Sequence, residues 1–289
     1  MILEYVVKEE NKTINKILLE KFEFSNRLFS KLIKNNRVLV NNNNIDTRKI
    51  AKGGDIIKID FNYEEDNSNI VSKKMKLNIV YEDDALLVLD KPAGIAVHPS
   101  ILHYEDSLAS GVKYYFETQG IKKKIRPVNR LDLNTSGLMI FAKNEYVQEC
   151  LIRQMNKHTF IKEYLAIVDG ILDNNKGVIN APISRKENSI IERCVSKNGQ
   201  KAITEYEVLK KGDGISLVKC KLVTGRTHQI RVHMKYIGHP LLGDTLYGTK
   251  SDLIKRQALH CYKIIFQNPV SYKKIELKSD IPKEFNIIV

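Results

Sequence analysis

The sequence predicts an α+β protein: a mainly antiparallel, mixed β-sheet domain with peripheral helices, preceded by a small α/β unit. Three observations predict it. From residue 77 onward, short apolar runs with strand character follow one another without βαβ alternation and without an internal repeat. The first sixty residues pass from helical periodicity to a short apolar strand. Between them, residues 62–76 read NYEEDNSNIVSKKMK, polar, charged and aperiodic, which is the composition of a linker. The expected organisation is therefore a unit over residues 1–62, a linker over 63–76 and a larger domain over 77–289.

In FSNRLFSKLIKNNRVLVNNNNI, Ser25 is placed to cap a helix whose Leu28, Phe29, Leu32 and Ile33 fall at helical spacing. Val38, Leu39 and Val40 then form a short strand, followed by a polar turn and GGDIIKID. The same helix carries Arg27, Lys31 and Lys34 at i, i+4 and i+7, so one face can pack while an adjacent face meets phosphates or simply stays solvated. In the larger domain, LNIVYEDDALLVLDKPAGIAVHPS gives a strand, an acidic turn, a strand at residues 86–89 and a Pro/Gly loop. Further strands are expected at 138–142, 163–168, 202–209, 216–222 and 263–266, and helices at 107–119, 145–155 and 227–236.

Composition narrows the function classes. A chain of 289 residues with 43% hydrophobic content can bury a substantial core. No apolar run approaches the length of a membrane span, and the first ten residues have neither the basic start nor the apolar core of a signal peptide, so the cytoplasm is the expected address. Cys150, Cys194, Cys220 and Cys261 lie far apart without a CxxC pair, and no HExxH occurs, so neither a disulfide framework nor a metal is expected. The formal net charge of +13 favours a polyanionic partner, since each cation that neutralises a phosphate releases a counterion.

The stretch RPVNRLDLNTSGLMIFAKN places Asp132 on the loop that feeds a buried apolar strand. Thr135, Ser136 and Gly137 supply small polar groups and a permissive backbone for a tight turn that would hold Asp132 at the mouth of a pocket. An aspartate by itself also serves as a capping or surface residue. Taken together, NRLDLNTSG at residues 129–137, KEYLAIVDG at 162–170 and VTGRTHQIRVHMKYIGHPLLGDTLYG at 223–248 make the chain resemble the RluA-type pseudouridine synthases, the RluC/RluD-like enzymes of large-subunit ribosomal RNA. The stretches DKPAGIAVHPS and RQALHCYKIIF fit the same pattern, and the resemblance covers residues 77–289. Residues 15–60 resemble the S4 RNA-binding domain, in which a small helical unit and a short sheet hold a basic face against RNA.

The resemblance implies the pseudouridine synthase fold and isomerisation of uridine in structured RNA. That reaction breaks a carbon-nitrogen glycosidic bond, turns the base over and joins its carbon five to the ribose. It has no net redox change and transfers no group, so no cofactor is expected. It needs a carboxylate as nucleophile or base, a means of handling the carbon-five proton and a pocket for the detached uracil. By resemblance Asp132 is that carboxylate, with attack on ribose, attack on base and removal of a ribose proton left open. Tyr164 stacks on the uracil and assists carbon-five proton removal, although its strand position also suits a core aromatic. Arg231, the arginine of QIR, sits beside the carboxylate and offsets the cost of burying its charge. Arg226 and His228 are pocket or RNA contacts, and Arg130 is a wedge for the space left by the flipped base or a phosphate clamp. The family usually has histidine where this chain has Asn129, which cannot carry a proton near neutral pH.

An RNA partner, ribosomal rather than transfer RNA, and a monomeric enzyme are thus expected. A non-catalytic S4-type RNA-binding protein would share the charge but has no use for Asp132, Tyr164 and Arg231 together. A glycoside hydrolase would need two carboxylates across one sugar, and the acids Glu82, Asp83 and Asp84 instead fall in a strand turn. No phosphate-binding GxxxxGK[ST] loop is present.

Overall fold

The computed structural model describes residues 1–8, 11–44, 46–100 and 103–288. Ile45 of the polar turn and the final Val289 lie outside the described residues. The N-terminal unit contains β1 (Ile2–Val6), α1 (Ile14–Phe22), α2 (Asn26–Lys34), β2 (Val38–Val40) and β3 (Ile56–Asp60). Its antiparallel sheet has the order β1-β3-β2, and both helices bury apolar residues over a core that includes Ile17, Leu18, Leu32, Ile57 and Ile59. Ser25 caps α2 by accepting a bond from the Leu28 amide, and Thr13 caps α1 in the same way through Lys16. Neither β1 nor α1 is foreseen from the sequence, because each is short and its periodicity covers barely two turns or two pleats.

The larger domain continues with β4 (Ile79–Glu82), β5 (Leu86–Lys91), α3 (Leu108–Thr118), β6 (Arg126–Pro127), β7 (Ser136–Ala142), α4 (Glu145–Asn156) and β8 (Ile161–Asp169). It is completed by β9 (Lys176–Asn180), β10 (Ile183–Arg185), β11 (Arg193–Val195), β12 (Ile203–Lys211), β13 (Ile215–Leu222), α5 (Gln229–Tyr236), β14 (Leu259–Gln267) and β15 (Lys274–Lys278). Ten of these strands form one sheet with the path β4-β5-β7-β14-β8-β13-β12-β9, while β15 pairs with β14 and β6 with β7. All of its pairs are antiparallel except β7 with β14. Every residue of β7 is buried, which explains its unbroken apolar sequence. β10 and β11 form a separate hairpin.

The parallel join carries a steric condition. Gly137 sits at φ 111°, and a Cβ there would overlap the backbone of Cys261, its partner in the β7–β14 register. Only glycine lets the two strands approach at the point where β7 leaves the Asp132 loop.

The reading of residues 63–76 as a contact-poor linker needs correction. Glu65 accepts two bonds from Arg126, at 2.7 and 2.5 Å, and Arg126 also reaches Glu145 at 2.9 Å. Lys31 of α2 joins the same cluster, 2.6 Å from Glu145 and 3.5 Å from Glu65, and its ammonium lies 4.4 Å from the centre of the Tyr63 ring. The Tyr63 hydroxyl donates to Glu145 at 2.7 Å. Beneath these charges, Phe22, Phe24 and Phe61 pack on Tyr146 with ring centres 6.3, 5.3 and 5.7 Å away. Composition counts every charge as solvated, whereas these find partners far away in sequence. Lys31, expected at a phosphate, is an internal ion-pair partner.

Candidate active site

Asp132 lies on the loop between β6 and β7, and its side chain keeps one quarter of its surface exposed. The loop is fastened from several directions. Asn129, buried at its start, donates to the Leu138 carbonyl at 3.0 Å and accepts from the Ile140 amide at 2.9 Å. Its amide thus replaces a backbone unit along β7, a role that needs one donor and one acceptor and no proton exchange. Thr135 donates its amide to the Asp132 carbonyl at 3.1 Å, closing the turn. Arg256 holds the far side, donating to the Asn134 carbonyl at 2.9 Å and to the Ser136 hydroxyl at 3.1 Å.

Lys91 makes the strongest fastening. This side chain is fully buried, and its three ammonium donors meet the carbonyls of Pro92, Ile95 and Leu133 at 2.8–2.9 Å. It therefore ties the DKPAG loop to the Asp132 loop. Burial pushes the ammonium down to about 7, with Arg256 acting in the same direction and Asp132 against it.

On the opposite wall, α5 supplies Arg231. The approach to the helix is shaped by His228, which takes a left-handed φ of 59°, and by Gln229, whose side chain makes four hydrogen bonds, to Thr224, Arg226, Ile203 and Thr204. Arg231 then faces Asp132, with Nη1 3.1 Å from Oδ2. Its other edge is bound by Asp244 through Nε at 2.7 Å and Nη2 at 2.8 Å. Asp244 is inaccessible to solvent and also accepts from the amides of Leu246 and Tyr247 at 3.0 and 3.2 Å. The guanidinium is thus gripped in a fork by one buried carboxylate and presents a single nitrogen to the other. Burial works against the Arg231 charge, and Asp244 and Asp132 more than offset it.

His228 stands 3.8 Å from the same Asp132 oxygen and hydrogen-bonds Tyr247 through Nδ1 at 2.8 Å. Burial lowers its pKa, with Asp132 pulling the other way, so the neutral ring is favoured near pH 7. Tyr164 is 4% exposed on β8 and lies against Cys261. Burial holds its hydroxyl well above the ordinary phenol range, and the Asp132 charge acts in the same direction. A neutral phenol can donate a hydrogen bond or relay a proton.

The structure therefore brings Asp132, Arg231, His228 and Tyr164 into one neighbourhood. Arg130 and Arg226 are exposed, Arg226 with Nε on the Lys201 carbonyl at 3.1 Å. Arg27 and Lys34 remain exposed on α2, far from this cluster in sequence. Sequence reasoning missed Asp244, Tyr247, Lys91 and Arg256. All four lie in stretches that drew attention as motifs, but nothing in a linear pattern says which acid an arginine will meet. Among the described residues, no group of three or more His, Cys, Asp or Glu side chains is arranged to hold a metal ion, and no helix is long and apolar enough to cross a membrane.

A carboxylate on a loop of a mixed sheet, held by a buried arginine, sits in a chain whose class comparison with known proteins makes explicit. Residues 85–236 match the family model described as RNA pseudouridylate synthase. The chain is 36% identical over 279 residues to the uncharacterized RNA pseudouridine synthase YhcT of Bacillus subtilis, covering 96% of this chain and 92% of that one. It is 34% identical to a ribosomal large subunit pseudouridine synthase D of Neisseria meningitidis, covering 91% of this chain and 73% of the relative. Among solved structures, human RNA pseudouridylate synthase domain containing 1 superposes with a TM-score of 0.59 at 28% identity, over 71% of this chain and 83% of that one. The chain belongs to the RluA-type RNA pseudouridine synthase family, and its activity is the isomerisation of uridine in RNA.

Proposed function

We propose that this enzyme converts uridines of large-subunit ribosomal RNA to pseudouridine in the cytoplasm, as a monomer, with Asp132 as the reacting carboxylate. The observation that carries the assignment is the chain of charge from Asp244 through Arg231 to Asp132. A carboxylate gripped at one oxygen by a fixed guanidinium keeps its other oxygen for the substrate. Large-subunit RNA is favoured because relatives spanning nearly the whole chain carry that substrate in their names.

Tyr164 supplies a flat face for the uracil and a neutral hydroxyl for the carbon-five proton. His228 and Arg226 border the pocket, and Arg130 at its rim occupies the space vacated by the flipped nucleotide. Residues 1–62 act as an S4-like RNA-binding unit, with Arg27 and Lys34 as phosphate contacts, and residues 77–289 as the catalytic domain. Neither a metal nor a cofactor is required, because bond exchange within one nucleotide leaves oxidation state and atom count unchanged.

The test is tritium release from large-subunit ribosomal RNA labelled at carbon five of uridine. Asp132→Asn is expected to abolish release while changing RNA affinity by less than about tenfold, since the site loses an anion and little shape. Appreciable turnover by the pure variant would remove Asp132 from the reaction. Mapping pseudouridines in cells lacking the protein identifies the target, and a missing site in transfer RNA alone would replace the ribosomal assignment.

A further inference from the structure

Near the end of the described residues, a 3₁₀ helix at Lys283–Ile287 brings Glu284 and Phe285 against Arg256. A single Glu284 oxygen, Oε1, accepts from Arg256 Nε at 2.6 Å and from Nη2 at 2.5 Å. The Phe285 ring lies beside the same guanidinium, its centre 6.0 Å from the central carbon. Phe285 is fully buried in an apolar cluster with Leu165 and Ile167 of β8, Ile254, Ala258 and Ile288. That cluster seats the helix without help from charge. An ion pair whose acid keeps 44% of its side chain exposed adds little to stability, so packing alone gives no reason for a carboxylate at position 284.

The reason lies on the other side of the arginine. Arg256 keeps only 11% of its side chain exposed, and each of its three guanidinium nitrogens is engaged. Two of its acceptors belong to the Asp132 loop, the Asn134 carbonyl at 2.9 Å and the Ser136 hydroxyl at 3.1 Å. The Gln257 and Leu259 carbonyls, at 3.1 and 3.0 Å, share Nη1. A guanidinium is planar, so fixing its Nε and Nη2 edge also fixes where the remaining N–H groups point. Glu284 therefore stands to Arg256 as Asp244 stands to Arg231. Among the described residues it is the one carboxylate within ion-pair distance of Arg256.

The backbone of this segment touches the opposite wall as well. Gly243 sits at φ 72°, and a Cβ there would overlap the carbonyl oxygens of Ile254 and Arg256. The chain around Arg256 thus lies against the residue that precedes Asp244. One segment borders both the loop that carries Asp132 and the acid that orients Arg231.

We propose that Glu284 is a positioning residue for the isomerisation: acting through Arg256, it holds Asn134 and Ser136 and so fixes where Asp132 stands opposite Arg231. The proposal rests on the reading of Asp132 as the reacting carboxylate. Misplacing a reacting group by about 1 Å costs on the order of a hundredfold in rate, and loss of one edge contact with Phe285 still seated is expected to cost about tenfold.

The experiment uses the full chain in excess over total RNA tritiated at carbon five of uridine, taken from cells that lack the protein. It reads the plateau rate of tritium release and the enzyme concentration at half-maximal rate. Glu284→Gln is expected to lower the plateau rate about tenfold and to leave the half-saturating concentration within about twofold of the parent. Circular dichroism melts verify that each variant is folded at the assay temperature. In an Arg256→Lys background, which lacks the planar fork, the same Glu284→Gln change is expected to lower the rate by less than about twofold, because the two residues act as one unit. Where the lysine background does not fold, the single variant decides. A parent-like plateau rate for Glu284→Gln would overturn the proposal. So would a changed half-saturating concentration with an unchanged plateau, which would assign Glu284 to RNA binding, or an equal tenfold loss in both backgrounds, which would separate it from Arg256. Asp132→Asn in the same assay tests the underlying reading by itself: full turnover there removes that reading, whereas no turnover there beside parent-like turnover by Glu284→Gln removes the positioning role alone.

Discussion

Asp244 is inaccessible to solvent and orients the arginine that meets Asp132. It fills the Nε and Nη2 edge of Arg231, so the arginine has one orientation in which to meet Asp132. Asp244→Asn keeps the shape and loses the charge that offsets burial of the guanidinium. We expect turnover to fall about a hundredfold with RNA affinity changed less than tenfold, and unfolding free energy to drop by about 3 kcal/mol, the scale on which buried ion pairs break. Single-turnover kinetics and urea melts measure the two effects, and unimpaired turnover would show that Arg231 is positioned without Asp244. Tyr164→Phe keeps the ring in its slot and removes the neutral hydroxyl. Substrate binding should survive better than turnover, and equal turnover would leave Tyr164 as a stacking platform alone.

At the scale of elements, the β7–β14 pair decides where the Asp132 loop ends. Gly137→Ala would force a Cβ into the Cys261 backbone at a positive φ, so a loss of stability larger than the ~1 kcal/mol typical of point changes is expected on thermal melting. The same junction contains His260, buried and 2.9 Å from the Ser136 hydroxyl through Nδ1. That hydroxyl also accepts from Arg256 Nη2 at 3.1 Å. Burial, then the Arg256 charge, pushes the pKa of His260 from 6.5 down to about 4. The folded value lies below the unfolded one, so the unfolded chain binds the extra proton. Stability from this group is therefore complete above pH 6.5 and is lost as pH falls through 4, by about 3 kcal/mol. His260→Gln should flatten the dependence of Tm on pH across that window, and identical slopes would show that the imidazole titrates normally.

For the whole molecule, the contact between the N-terminal unit and the sheet domain changes what truncation should do. Removing residues 1–62 uncovers Tyr146 and takes Lys31 from Glu145, so the remaining domain is expected to melt lower than the full chain, where a free linker would leave its Tm unchanged. The three cations of α2 should also separate. Arg27→Ala and Lys34→Ala are each expected to reduce the salt slope of RNA binding by roughly 0.7 to 0.9, whereas Lys31→Ala should leave the slope and lower the Tm. A salt titration of RNA binding with all three variants decides it, and an equal effect of all three on slope would return Lys31 to the phosphates.

The sequence alone determined the fold class and most of the larger elements. Apolar periodicity located β7, β8, β13 and α4 within a residue or two, because each buries enough side chains to impress its period on the chain. The resemblance to the RluA-type family, carried by the long motifs around them, singled out Asp132, Tyr164 and Arg231. Tertiary structure decided which partners those residues meet. Asp132 and Arg231 are 99 residues apart, and Lys31 and Glu145 114. A linear pattern records each charge with its neighbours in the chain, while pairing depends on which loops the sheet register brings within 3 Å. That is why Asp244, Lys91 and the grip on residues 63–76 emerged only when the chain was folded.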